Sequence, residues 1–552
     1  MVLQPGAGTP PPDDPTLAIR QARPVWPLPP PPANQFTGPQ IQPRTDAARV
    51  AGGIGLLVVP IVAFVLAYLV PTFRTIALSR AEGSRIFDEE QSIGPANYEE
   101  VFSEGLFFDG IAHLAGPIAV IVFAGAVLAP FLAWLVHRSG AGVRGVSRVL
   151  WALAAVSFTP AALSTAWLIE RVVSESSREA SVYDWTGLIA GVVLGLGVLA
   201  GLAAQRAGDG RRTGPVLVVA GLSAIVLVAT GLQTFAFGSL SGLPAGAPTP
   251  VAQILDGIHF GLSEGVAIAK GVLLLCILAV LGLGAAVLFA AARLRIDVEP
   301  GPDGPARPAA AVAAVVLLIA ALAVIGSFLS PWLSRLGEGG EGETDWWFLI
   351  RHAWGRPLAA SAIGVGTALI GGFALGALRP FGAASRWALL AFAPWLLVGS
   401  APLAAAHLDA ISPEPGEFLV IGWYMPRVWI AIPALFLFTA LFWGLEDRRR
   451  AALAQGAPPR AARAAFIKAA WPFAVLLLLA ALLVNANDLV WQQATWQDLA
   501  GSAMAFALEE PDFEHSGVAL GYPVPVLAGY ALAAAALAIW YLPRLVVRTG
   551  RS

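Results

Sequence analysis

The residues best suited to chemistry stand at the end of one apolar run, where Asn485, Asn487 and Asp488 precede Trp491 and Trp496. Amide and carboxyl groups beside flat aromatic faces suit recognition of a polar solute such as a sugar. A belt of interfacial tryptophans explains the same rings without a ligand, and Trp346, Trp347 and Trp423 carry the same ambiguity. Lys270 lies inside another apolar run, where a charge costs a few kcal/mol or more. It can contact a solute in a polar pathway, pair with Glu264 or Asp256, or snorkel to the nearby interface. The six histidines form no HExxH-like pair, and the single cysteine, Cys276, falls in an apolar run, so neither a disulfide nor a metal site is expected. No Gly-rich phosphate loop stands in the basic stretches, so the chain is expected to hold no ATP and no cofactor of its own. Glu89 and Glu90 are adjacent on a loop, where their carboxylates diverge. That arrangement argues against a membrane-embedded glycosyltransferase, which would need a converging acidic pair.

The elements that position these groups are membrane spans. Of 552 residues, 57% are hydrophobic and 13% charged, with a mean hydropathy of +0.71. That is too little charge to cover a soluble surface, and a spanning helix needs roughly 20 apolar residues. Twelve such runs are readable, near 51–72, 111–137, 149–169, 185–204, 214–236, 265–292, 309–330, 357–378, 387–406, 426–444, 470–487 and 522–543. With the N-terminus inside, the inner segments carry 24 Lys/Arg and 9 Asp/Glu, and the outer segments carry 9 and 27. Retention of Lys and Arg on the cytoplasmic side therefore puts both termini in the cytoplasm. The expected fold is all-α, with about twelve transmembrane helices in two sets of six. Residues 1–50 hold 13 of the 43 prolines and form an expected disordered cytoplasmic tail. The first half covers 51–293, a cytoplasmic linker 294–308, and the second half 309–552. The first apolar run lies too far from the N-terminus for a cleaved signal peptide.

Several segments resemble the permeases of maltose-type, binding-protein-dependent ABC importers, with two type I permease halves fused in one chain. Gly94, Asn97 and Tyr98, followed by Phe102 and Phe107, resemble the segment that precedes the second span of such permeases. GLQTFAFGSLSGLPAGAPTP (231–250) resembles the end of span five, and GLSEGVAIAKGVLLL (261–275) the start of span six. NDLVW at 487–491 is similar to the sequence closing the family's fifth span, and Arg544–Gly550 to its basic tail.

The resemblance implies coupling loops that dock on ATPase subunits in the cytoplasm. Ala203, Ala204 and Gly208 in one half, and Ala451, Ala452 and Gly456 in the other, keep an A-A-x-x-x-G pattern at the same topological place. Phe466 and Pro472 follow the second copy. The family's acidic residue is replaced by Leu202 and Arg450. The resemblance further implies alternating access, an extracytoplasmic solute-binding protein, a bacterial inner-membrane location in contact with lipid, and a small polar substrate, for which a carbohydrate is expected. No catalysis and no nucleic-acid partner are expected. Substrate-pathway candidates are Lys270, Asn487, Asp488 and Trp491. The alternative is a twelve-span secondary transporter of major-facilitator type, although the loop between the second and third runs, RSGAGVRGVSR, lacks that family's acidic residue.

Overall fold

Lipid offers no partner for open N–H and C=O groups, so an apolar run must satisfy its backbone internally. The chain does so with helices. The computed structural model describes residues 46–82, 91–157, 189–207, 213–234, 249–260, 264–299, 306–334, 354–411, 429–488, 490–491 and 524–550. The Pro-rich segment up to residue 45, the acids Asp88 to Glu90, Gly208, Trp346, Trp347, Trp423 and Trp496 lie outside these residues. The chain divides into an N-terminal unit, Met1–Ala47, of which only Asp46 and Ala47 are described, and a main unit, Ala48–Ser552.

In chain order the helices are α1 (Ala47–Leu78), the short α2 (Ala96–Glu104), α3 (Leu106–His137), α4 (Ala141–Val156) and α5 (Leu194–Gln205). Then come α6 (Thr213–Leu232), α7 (Pro250–Phe260), α8 (Glu264–Ala291), α9 (Pro308–Ser334) and α10 (Arg356–Leu378). The last four are α11 (Ala404–Ile411), α12 (Ile432–Ala454), α13 (Pro459–Ala486) and α14 (Val524–Trp540). Among the described residues, eight are long and apolar enough to cross a membrane: α1, α3, α6, α8, α9, α10, α13 and α14. The molecule is an all-α membrane protein. Only 22% of the apolar windows of α6, α9 and α14 is covered by protein, so their outer faces need lipid.

The eight helices fall on eight of the expected runs. The other four runs fall on α4, on α5, on an irregular segment ending in α11, and on α12. Residues 158–188, between α4 and α5, are outside the described set. Helix α12 starts at Ile432 rather than 426 and continues to Ala454, because its charged end projects beyond the apolar run. Likewise α1 takes in residues from the end of the expected tail.

Small residues let the helices approach. A Cβ on Gly372 would lie 2.4 Å from the Phe438 Cβ, and one on Gly376 would lie 2.5 Å from Thr439 O. These two positions, one turn apart on α10, seat its backbone directly on α12, as small-residue stripes do in bilayers. Aromatic rings fill the space beyond: Phe442 stacks on Phe466 at 5.7 Å and meets Phe373 edge-on at 5.4 Å.

One end of the bundle is rich in arginine. Arg49 at the start of α1 donates to Glu446 (2.9 Å) near the end of α12 and to Ala377 O at the end of α10. Arg206 at the end of α5 donates to Leu542 O and Pro543 O after α14. Here β3 (Arg295–Val298) pairs antiparallel with β4 (Leu545–Arg548), in the register Arg295↔Arg548, Ile296↔Val547, Asp297↔Val546 and Val298↔Leu545; both come after the two residues of a short β1–β2 pair near the opposite end (Ala81–Glu82 with Gln91–Ser92). The register is self-reciprocal. Aligning Arg293-Leu294 with Arg544-Leu545 makes Ile296 equivalent to Val547, and these two pair with each other. Residues on either side exchange partners, as in any antiparallel pair. Phe123–Ala133 and Phe373–Ala383 share six of eleven residues, FAxxxLxPFxA, 250 positions apart. Each copy begins with a five-residue π turn after its Phe, Ala124–Leu128 and Ala374–Leu378.

Candidate functional site

Between Gly382 and α11 the chain runs along α1 and α8 without a regular α-helix. Residues Gly382–Ala391, Ala393–Trp395 and Ala401–Leu403 form 3₁₀ turns, separated by irregular backbone from Leu396 to Ser400. Pro394, Gly399 and Pro402 explain the interruption: proline removes a donor and biases the residue before it away from the α region. Irregular backbone at this depth is tolerated only where protein satisfies it. The Gln233 side chain, just beyond α6, does this at both of its ends. Its Nε2 donates to Leu397 O (2.8 Å), and its Oε1 accepts from the Gly399 N–H. Trp395 Nε1 donates to Thr72 Oγ1 (2.9 Å), and His407 Nε2 to Ala67 O (3.0 Å). A Cβ on Gly282 would stand 2.2 Å from Ala393 O, so α8 presents bare backbone to the interrupted segment.

Asp488, 8% exposed, joins this segment from the end of α13. One carboxylate oxygen accepts from Ser400 Oγ (2.8 Å), and the other accepts from the Trp491 N–H (3.2 Å). The Trp491 ring meets His407 edge-on at 6.1 Å. Asn485 Nδ2 donates to Ser361 Oγ (2.9 Å) on α10. Asn487 is turned toward its own helix, donating to Leu483 O (2.6 Å). Two of the four substrate-pathway candidates, Asp488 and Trp491, therefore meet at the break, and Asn487 bonds its own helix.

Lys270, 9% exposed, forms its ion pair with Glu104 (3.4 Å) at the end of α2, rather than with Glu264 or Asp256. Glu104 is about a third exposed, so the ammonium reaches toward the interface, the snorkelling geometry. Gly271 beside it meets Pro402 O, which places Lys270 on the helix that backs the interrupted segment. Asn97 donates to Ser79 O (3.1 Å) and Ala81 O (2.9 Å), and Tyr98 OH and Ser79 Oγ lie 2.6 Å apart. The Gly94–Tyr98 segment thereby fastens the end of α1.

The chain matches no family model, no curated protein and no solved structure.

The two A-A-x-x-x-G turns differ in access. Ala451 and Ala452 form the last turn of α12, and Gly456, at φ +86°, reverses the chain into α13. Ala451, Gln455 and Gly456 are exposed. Ala203 is half-buried at the end of α5, whereas Ala204 and Ala207 are buried beside Arg206, whose guanidinium holds the chain after α14. Phe466 packs on Phe442, and Pro472 is buried within α13. Near the exposed turn, Glu446 accepts from Arg49 (2.9 Å), Arg449 (2.7 Å) and Arg450 (2.9 Å). Burial would raise its carboxyl, but the hydrogen bonds and charges of these arginines hold it below the ordinary value.

Sequence reasoning missed Gln233, Ser400 and His407, which bring polar groups to the break. The spacing of Pro394, Gly399 and Pro402 was the signal for it. Among the described residues no group of three or more His, Cys, Asp and Glu is placed to hold a metal. The arrangement can offer hydrogen bonds and an aromatic face to a polar solute.

Proposed function

We propose that the chain is a transport permease, the membrane subunit of an ABC importer that carries a small polar solute inward by alternating access. The observation that carries the transport reading is the interrupted segment from Gly382 to Leu403, with buried Asp488 and Ser400 and half-buried Gln233 set against it in an otherwise apolar bundle. Discontinuous helices near the middle of a membrane protein are the usual places for solute contacts, and buried ionisable groups there are retained for function. In the conformation described, these groups bond one another, so a solute meets them when the break opens.

The recurring FAxxxLxPFxA segment, 250 positions apart, supports a chain built from two related halves. The eight long helices, together with α4, α5, the interrupted segment and α12, support six passes per half. Charge distribution supports placing the arginine-rich end and both termini in the cytoplasm of a bacterial inner membrane. There the exposed Ala451–Gly456 turn meets a separate ATPase subunit, and a solute-binding protein delivers the substrate on the opposite side. A carbohydrate fits the carboxylate and indole at the break.

Burial of Ala204 and Ala207 favours a second reading, a secondary transporter that needs no motor, because these residues of the first expected docking pattern are covered by protein. Purifying the full chain from its native membrane separates the two. The importer reading expects a P-loop ATPase in the complex and vanadate-sensitive ATP hydrolysis. Solute uptake driven by an ion gradient, with no ATPase associated, would replace it with the secondary transporter.

A further inference from the structure

At the arginine-rich end a cleft of about 740 Å³ opens between the end of α8, the start of the interrupted segment, and α12. Its lining includes Arg293, Arg295, Arg386, Trp387, Trp443 and Asp447, with alanines between them. The Trp443 ring lies between two guanidiniums, with Arg386 at 3.8 Å and Arg379 at 4.0 Å from its centroid. Two groups that large cannot share one face of the ring, so they cover both.

The carboxylates nearby are already engaged. Arg379 holds Asp447 at 2.6 Å, and Asp297 lies within 4 Å of both Arg295 (3.6 Å) and Arg548 (3.3 Å). Among the described residues, neither Arg293 nor Arg386 forms an ion pair. The Arg295 Nε is buried without a hydrogen-bond partner. A guanidinium stays charged in proteins, and Arg293, Arg295 and Arg386 bring like charge to one cleft. Arg293 sits at φ +51° and Arg379 at φ +53°, a conformation that non-glycine residues adopt at some energetic expense. A planar guanidinium fork held in this way matches a phosphate oxyanion.

We propose that this cleft binds a phosphate-ester group, supplied by the headgroup of an anionic phospholipid. The lipid source follows from the cleft's place at the ends of membrane-spanning α8 and α10. It follows also from the rings beside it, since Trp387 and Phe381 are 45% and 50% exposed, as aromatic residues at a membrane interface are. Basic pockets between helix ends are suited to anionic headgroups. The proposal stands apart from the transport reading and needs neither an ATPase nor a solute.

Native mass spectrometry of the full chain in detergent, titrated with phosphatidylglycerol, tests it. Arg293→Gln combined with Arg386→Gln is expected to weaken retention at least about tenfold, the scale of a lost charge-assisted hydrogen bond. Arg460→Gln, an exposed cation on α13, should retain the lipid as the wild type does. Arg386→Lys, which keeps the charge and loses the fork, should fall between and guards against misfolding of the double variant. Inorganic phosphate forms the second arm and should compete only weakly. Equal retention by wild type and double variant overturns the site. Inorganic phosphate binding as tightly as the lipid, and losing affinity in the double variant, upholds the anion site and overturns the lipid as its source.

Discussion

Glu446 and Asp488 are both buried carboxylates, and their surroundings set different expectations. Glu446 is held by three guanidiniums, so its ionised form is favoured on folding. A carboxyl lowered in this way stabilises the protein above its ordinary value of 4.5 and loses that contribution as pH falls through the lowered one. Glu446→Gln should therefore destabilise by about 1–3 kcal/mol at pH 7. The gap between the melting curves of variant and wild type should close in strong acid; a gap independent of pH would contradict the ion-pair account. Asp488 accepts from the Ser400 hydroxyl, so Ser400→Ala removes a donor from a buried acceptor and should lower stability by about 1–3 kcal/mol. Ser327→Ala, whose hydroxyl is exposed on α9, should change it by less than about 0.5 kcal/mol. The clustering of Asp488 with Trp491 was legible because they are neighbours in sequence. Their partners were not: Ser400 lies 88 residues from Asp488, and Gly399 lies 166 from Gln233. Such approaches depend on how helices pack, which local pattern does not encode.

At the scale of elements, the spans follow from hydropathy because lipid imposes one solution on a long apolar run. Where breakers and apolarity competed, between 387 and 406, apolarity alone was misleading: Pro394, Gly399 and Pro402 prevail, and Gln233 repairs the backbone they leave open. The end of α12 was also misplaced, since charged residues continue the helix past the apolar run toward Gly456. Close helix contacts carry a direct test. Gly376→Val drives a side chain into Thr439 O, so α10 and α12 must separate, at a cost of about 1–3 kcal/mol. Gly366→Val on the same helix meets nothing within 4 Å and serves as the control. A thermal shift confined to the Gly376 variant is expected; equal shifts would mean that helix propensity, rather than packing, decides.

For the whole molecule, the pairing of β3 with β4 ties the segment after α8 to the segment after α14 at one place. On that face Ala451, Gln455 and Gly456 are exposed, whereas Ala204 is buried. A motor gripping the bundle would thus meet an asymmetric surface, with its contact concentrated on α12 and α13. Gly444 reinforces this, because a Cβ there would lie 2.4 Å from Asp297 Oδ1, so α12 and β3 are seated backbone to side chain. Movement of α12 would be felt at once by the strand pair. A photoreactive residue placed at Ala452, with one at Ala204 as the control, measures the central claim in the native membrane. The expected result is an adduct with a P-loop ATPase from Ala452 and none from Ala204. Uptake that continues while neither position yields such an adduct would contradict the importer.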